Sequence, residues 1–435
     1  MSHSLHHELT TLLQQYPDTG TVWVAYSGGL DSHVLLDSCA HIQTQCPQKE
    51  FKAIHVHHGL QDSADTWAQH CQDQCEKYGI PCEIKQVSVS QKQGESVEEQ
   101  ARHARYTAFA ECVQQGDILL IGQHADDQAE TLLLQLMRGA GVAGLSAMPR
   151  YDVQTLTNTL IIRPLLDYTR EQLQQYAQQQ GLQWIEDPSN QDPRFTRNFI
   201  RHHILPPLKQ RWQTVSHTLS RAATHQAEAQ QLLTELAGSD LQQCGDQQKL
   251  SCTALQKLSP ARQRNLVRYW VKQAGYRAPS QVKLMQILHQ MLTAETDKNP
   301  YVDWENCQVQ RYQQYIYILP QFPTPNPQPI LWQLGTELTL PYGALHCADT
   351  HTGGIDRELL KDKSLTIQFR QGKEKILLRG QHKLVKKLLN SAHIPPWERA
   401  LLPLIYHGEQ LVAIPEIGID DHYYTKNGVG VFWQR

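Results

Sequence analysis

Up to Gln210 the chain alternates short apolar runs with longer stretches in which apolar residues recur every three or four positions. Thr21–Tyr26, Phe51–His57, Cys82–Val89 and Ile118–Gly122 are compact, rich in β-branched and aliphatic residues, and predict buried strands. Between them Ser32–Thr44, Ser63–Tyr78, Ser96–Gln114 and Asp126–Met137 carry helical spacing. Strand–helix alternation predicts a parallel sheet covered on both faces, with ligands bound outside the carboxyl ends of its strands. Asp187–Gln210 reads as a loop entering a helix that stops at Pro206-Pro207. Arg211–Gln290 is Gln-rich, with Leu and Ala at helical spacing, and Pro320–Pro329 is a proline-rich linker. Ile330–Arg435 holds short β-like runs and turns. The expected organisation is an α/β parallel-sheet domain over residues 1–212, a helical domain over 213–320 and a small β-rich α+β domain over 330–435.

Composition changes this picture little. The chain has 435 residues, 40% hydrophobic and 19% charged, ordinary values for a water-soluble protein. No apolar run approaches the roughly 18 residues that predict a membrane span, and the first residues do not read as a signal peptide. Ten cysteines without a C-x-x-C pair point to a reducing cytoplasm rather than a disulfide framework. The net charge of −3 excludes a globally basic protein, so RNA contact would have to be local. From Lys361 onward twelve Lys/Arg face seven Asp/Glu, a tilt that fits either RNA contact or a solvated face. The sequence does not give the oligomeric state and leaves a homodimer open.

Ser27-Gly28-Gly29-Leu30-Asp31-Ser32 follows a predicted strand and opens a helix. Such a turn is an anion site: glycines allow close backbone approach, and a helix start aims free N–H groups at negative charge. Asp31 would repel a bare phosphate, but fits if Mg²⁺ bridges the two. The lysine and spacing of a Walker A loop are missing. A second pattern, Gly139 to Gly144, fits G-x-G-x-x-G but follows a helix, so it lacks the context of a dinucleotide fingerprint.

The first loop resembles the SGGxDS loop of the PP-loop ATP pyrophosphatases (adenine nucleotide alpha hydrolase-like fold). Further stretches are similar, in order and spacing, to tRNA(Ile)-lysidine synthetases. These are His55–Leu60, Gly94–Arg102, His124–Thr131, Arg138–Gly141, Arg163–Leu166, Glu186–Asn190, Phe195–Arg201, Lys386–Leu389 and Ile394–Arg399. Gln371-Gly372-Lys373-Glu374 departs from the Gly-Gly-Glu frequent in that family.

The resemblance implies ATP bound by Ser27, Gly28, Gly29, Leu30, Asp31 and Ser32, with His57 at the adenine and Mg²⁺ on Asp31. It implies catalytic roles for Asp31, Arg102, Asp127 and Glu130. Lysine and tRNA would be held by Asp126, Asp127, Glu130, Arg197, Arg201, Lys386 and Lys387. The partners implied are a CAU-anticodon isoleucine tRNA and free L-lysine, joined at C2 of the wobble cytidine through an adenylated intermediate.

Plain structural readings stand beside these. Ser96-x-x-Glu99 is a capping box and Glu98–Arg102 an i,i+4 pair. Acids in the first turn at Asp126, Asp127 and Glu130 suit the helix dipole. Trp67, Cys71 and Cys75 recur every four residues as a buried helix face. His55, His57, His58 and His124 lack zinc-site spacing. Two rival functions differ in their tools. A PP-loop tRNA thiolase would need a reactive cysteine. A non-catalytic RNA-binding protein would not need the loop and the acids intact together.

Overall fold

The computed structural model describes residues 2–57, 64–87, 97–154, 159–295, 298–322, 325, 328–340, 343–360 and 364–434. The chain divides into two compact units, Met1–Leu233 and Thr234–Arg435.

The first unit is built on strands β1 (Thr21–Ala25), β2 (Glu50–His57), β3 (Cys82–Gln86), β4 (Ile118–Ile121), β5 (Tyr151–Gln154) and β6 (Thr159–Ile162). Their order is β3-β2-β1-β4-β6-β5; only β5 runs antiparallel to its neighbour. Helices α1 (Ser2–Gln14), α2 (Leu30–Ile42), α3 (Ala64–Lys77), α4 (Val97–Cys112), α5 (Ala125–Met137), α6 (Val142–Leu145) and α7 (Arg170–Gln180) lie in the same unit. Alternation along β1 explains the two-sided cover. Val22 and Val24 pack with Leu9, Leu35 and Leu173 from α1, α2 and α7, while Trp23 turns to Phe109 and Val113. The Trp23 indole N–H donates to Asp117 at 3.1 Å, which satisfies its polar end.

After β1 the chain moves outward to β2 and β3, then returns to the other side of β1 as β4. That reversal makes the carboxyl ends of β1 and β4 the switch point, the place where sheets of this kind bind their ligands. The loop Ser27–Ser32 leaves β1 there, and Gly122–His124 leaves β4 beside it.

One expectation is corrected. The helix does not stop at Pro206-Pro207. Thr196–Phe199 (α8) passes through a π turn, Ile200–Ile204, into α9 (Leu205–Arg211), with the prolines in the first turn of α9. A first turn has no use for the proline N–H, and the wider π turn takes up the break.

The second unit begins within α10 (Val215–Cys244) and continues with helices Cys252–Gln256, Pro260–Gln273 and Gln281–Thr293. These helices match the periodicity. They also pack on a four-stranded antiparallel sheet, Lys249–Ser251, Tyr315–Pro320, Cys307–Tyr312 and Tyr301–Trp304, around Trp270 and Ile287. Beyond Gln328 there are two five-stranded sheets and a hairpin, Lys375–Leu378 with Gln381–Leu384. Lys386 and Lys387 are exposed on the helix Val385–Ser391 that follows the hairpin. Where the sequence departs from the family pattern, Gly372 has φ +108° and donates its N–H to Glu374 at 2.7 Å. Among the described residues no helix is long and apolar enough to cross a membrane.

Candidate active site

The Ser27–Ser32 turn is held open by its own side chains. Ser32 Oγ accepts the Ser27 N–H at 3.2 Å and donates to the Gly29 carbonyl at 3.0 Å; the two serine hydroxyls are 3.0 Å apart. Gly28 has φ +84°, and a Cβ there would lie 2.8 Å from Ile185 Cδ1 and 3.0 Å from Cys71 Sγ. Only glycine fits such a backbone. The Ile185 N–H ties the segment after α7 to the Gly28 carbonyl at 2.9 Å. The start of α2, at Gly29, receives no side-chain cap.

Gly122 brings the two halves of the switch point together. A Cβ on it would sit 2.9 Å from the Asp31 carbonyl oxygen and 3.1 Å from Ser32 Cα. The apolar run Ile118–Gly122 predicts a strand ending there but does not reveal that α2 presses on it. The signal was the glycine itself, closing a fully apolar run.

His124 is the N-cap of α5, and sequence reasoning missed this role. Its Nδ1 accepts the N–H groups of Asp126 and Asp127 at 3.2 and 3.3 Å, while Asp127 Oδ2 accepts the His124 N–H at 3.2 Å. These bonds leave the ring proton on Nε2, which stands 3.5 Å from both Asp31 Oδ2 and Asp127 Oδ2. Burial opposes a charge on the ring; Asp127 and Asp31 outweigh it and draw the imidazole up to about 9, so the ring is biased towards gaining a proton and the Nδ1 cap is the geometry of its neutral form. The second proton would go to Nδ1 and cost the cap. Among the described residues, Asp31 Oδ1 and His124 Nε2 are both buried without a hydrogen-bond partner.

The remaining acids of α5 face different ways. Asp126 is taken up by the scaffold: it accepts from the Arg170 N–H at 2.8 Å and from Ser216 and Lys209, each at 2.5 Å. Asp127 and Glu130 instead meet Arg197 and Arg201. Glu130 accepts from Arg197 Nε at 2.7 Å and from Arg201 Nε at 2.6 Å; Asp127 Oδ1 accepts from the two guanidiniums at 2.9 and 3.2 Å. The Glu130 side chain is 1% exposed. Burial works against the Asp127 charge, but His124 and the two arginines hold its carboxyl down at about 2. The quartet is neutral, with two carboxylates and two guanidiniums.

Other candidates lie around this core. Arg102 is exposed on α4, its guanidinium 5.0 Å from the Tyr106 ring. His57, at the end of β2, engages Asp65 at 3.0 Å. His55 donates Nδ1–H to the Tyr26 carbonyl at 2.9 Å, the bond of an ordinary core histidine. Arg163, 1% exposed, donates to Gln123 at 2.6 Å and to the Pro149 carbonyl at 2.7 Å, bracing the loop after β4. His58, Ser96 and the side chains of Glu98 and Glu99 lie outside the described residues. Cys71 and Cys75 are buried, as the helix-face reading expects; burial raises the Cys71 thiol, whereas a hydrogen bond with Cys82 is the chief cause at Cys75. Gly139–Gly144 forms a helix end and the short α6, not a strand-to-helix turn. His6, Asp37 and His41 lie close enough to share a metal, but Asp37 already accepts from Tyr78 at 3.0 Å and Tyr176 at 2.5 Å.

Comparison with known proteins decides the family. Residues 1–208 match the PP-loop domain, 250–317 the TilS substrate binding domain and 365–432 the TilS substrate C-terminal domain. The tRNA(Ile)-lysidine synthase of Coxiella burnetii is 39% identical over 93% of this chain and 90% of its own length. That of Shigella flexneri is 37% identical over 98% and 99%. The chain belongs to the tRNA(Ile)-lysidine synthase family. As a member it is a ligase with an ATP-binding PP-loop domain. Among solved structures, the U34-tRNA thiolase NcsA from Methanococcus maripaludis is similar over 52% of this chain and 79% of its own, at 18% identity and a TM-score of 0.43, and adds nothing to that assignment.

Proposed function

We propose that this ligase joins free L-lysine to C2 of the wobble cytidine in a CAU-anticodon isoleucine tRNA, in the cytoplasm, through an adenylated tRNA intermediate. AMP and pyrophosphate are the by-products. The observation that carries this reading is the pairing, at one switch point, of an uncapped helix start beside Asp31 with a buried carboxylate pair clasped by two arginines.

The C2 oxygen of cytosine is a poor leaving group, so ATP first adenylates it. The N–H groups of the Ser27–Ser32 turn stabilise the charge on the departing pyrophosphate. Asp31 Oδ1, buried and unpartnered, fits a divalent cation, and Mg²⁺ bound there would neutralise phosphate charge. His124 holds Asp31 from the other side. Lysine brings one carboxylate and two ammonium groups, and the quartet supplies complementary charges of both signs. Asp127 and Glu130 take an ammonium, while the guanidiniums they release take the carboxylate bidentately. The free ε-amine titrates near ~10.4, so attack on C2 needs a carboxylate, or a water held by one, to accept its proton. His57 and Arg102 are assigned to the nucleotide side, and Lys386 and Lys387 to tRNA phosphates.

The thiolase reading is poorer, since Cys71 beside the loop is buried with a raised thiol and so lacks thiolate character. The test uses ATP, Mg²⁺, radiolabelled lysine and unmodified CAU isoleucine tRNA. The proposal expects ATP-dependent, acid-precipitable label that resists mild alkali, and none with Asp31→Ala. AMP formation without label would move the nucleophile to sulfur or ammonia. Neither product would sink the enzyme reading.

A further inference from the structure

We propose that the solvent face of the helical run Thr196–Arg211 is a stacking platform for the single-stranded nucleotides beside the modified base. This rests on the tRNA reading above and assigns residues to it. In a helix, residues two apart stand about 200° apart, on opposite sides. Arg197 and Arg201 turn toward Asp127 and Glu130, so Phe195, Phe199 and His203 point away, to solvent. Phe195 is 36% and Phe199 45% exposed, and the Phe199 and His203 rings lie 5.1 Å apart at 34°. The run is followed by a further exposed ring, Trp212 at 58%, with Arg211 5.9 Å from its centroid.

A row of open rings at helical spacing is costly for a protein that only needs to fold, and marks a binding surface. Its surroundings name the occupant. No Asp or Glu occurs from Pro193 to Ala227, a stretch with six Lys/Arg and four histidines in a chain of net charge −3. Four of those cations pair with acids elsewhere: Arg194 with Asp192, Lys209 with Asp126, and Arg197 and Arg201 within the quartet. Arg211 and Arg221 are exposed, and neither pairs with a carboxylate among the described residues. Aromatic rings interleaved with cations suit single-stranded nucleic acid, whose bases stack while the phosphates take the charge. The same helix thus has one face for the reacting groups and one for the strand that delivers the base.

The experiment compares Phe199→Ala, Phe199→Leu, Phe199→Trp and His203→Ala with the wild-type full chain. Lysine incorporation is measured at varied tRNA, lysine and ATP, with direct binding of a hairpin RNA bearing the CAU loop. Losing one stacked base predicts a rise of about tenfold in the tRNA KM and hairpin Kd for the Ala and Leu variants. Saturated kcat and the KM values for lysine and ATP stay unchanged, and Trp restores wild-type behaviour. An active wild type whose tRNA KM is unaffected by Ala and Leu overturns the platform. So does rescue by Leu but not Trp, which marks apolar packing. A wild type that incorporates no lysine, yet binds the hairpin in a Phe199-dependent way, sinks the lysidine reading and keeps the platform.

Discussion

Two helices start side by side at the switch point, and they treat their free N–H groups in opposite ways. The α2 start follows Gly29, has no side-chain cap, and places Asp31 in its first turn with one carboxylate oxygen unpartnered. The α5 start is closed by a reciprocal cap between His124 and Asp127, and Asp127 and Glu130 are then covered by Arg197 and Arg201. An unsatisfied helix end is retained where something from outside completes it. A saturated one is a scaffold, or a site whose ligand must displace a partner. On the proposed function, α2 takes the phosphate and α5 the exchangeable ionic ligand.

Breaking the closed side should have the largest effect. Glu130→Ala leaves two guanidiniums sharing Asp127 and takes away the more deeply buried acid of the quartet. It is expected to cost about 3–5 kcal/mol of stability, measured by urea unfolding. An unchanged midpoint would mean that the quartet is not formed in solution. Asp31→Ala attacks the open side. AMP formation should fall by roughly 10²–10³-fold with the melting temperature held, because Asp31 Oδ1 has no hydrogen-bond partner among the described residues and Oδ2 has only the 3.5 Å approach to His124. Loss of folding instead would make Asp31 structural. His124→Ala removes the α5 cap and is expected to cost about 1 kcal/mol, with Asn recovering most of it as a competent cap. Equal losses for Ala and Asn would place the importance of His124 elsewhere than in the cap.

Acid is the gentlest perturbation. The Asp127 carboxyl is depressed to about 2. Its contribution to stability is therefore complete above the unfolded value near ~3.9 and is lost as pH falls through about 2. Asp127→Asn should flatten that limb of the stability profile; an identical acid limb would assign it to other carboxylates.

The open side was legible because everything it needs is local. Strand, glycines, serines and helix start are contiguous from Thr21 to Ile42, and periodicity places each of them. The closed side was legible only in halves. Spacing puts Asp127 and Glu130 on one face and Arg197 and Arg201 on another, but their union joins residues some seventy positions apart, beyond the reach of any periodicity. Gly122 and His124 escaped for a related reason: one is defined by α2 pressing on it, the other by a ring nitrogen replacing the usual capping oxygen. The sheet after Lys249 was hidden because its strands are short and its first member lies among helices.

The most direct test of the division of labour is to omit lysine. The chain is incubated with α-phosphate-labelled ATP, Mg²⁺ and CAU isoleucine tRNA, and label is sought on the tRNA. The account predicts that the α2 side works alone: labelled AMP appears on the tRNA and is released when lysine is added. Label that requires lysine from the outset, or that forms on lysine without tRNA, would contradict it.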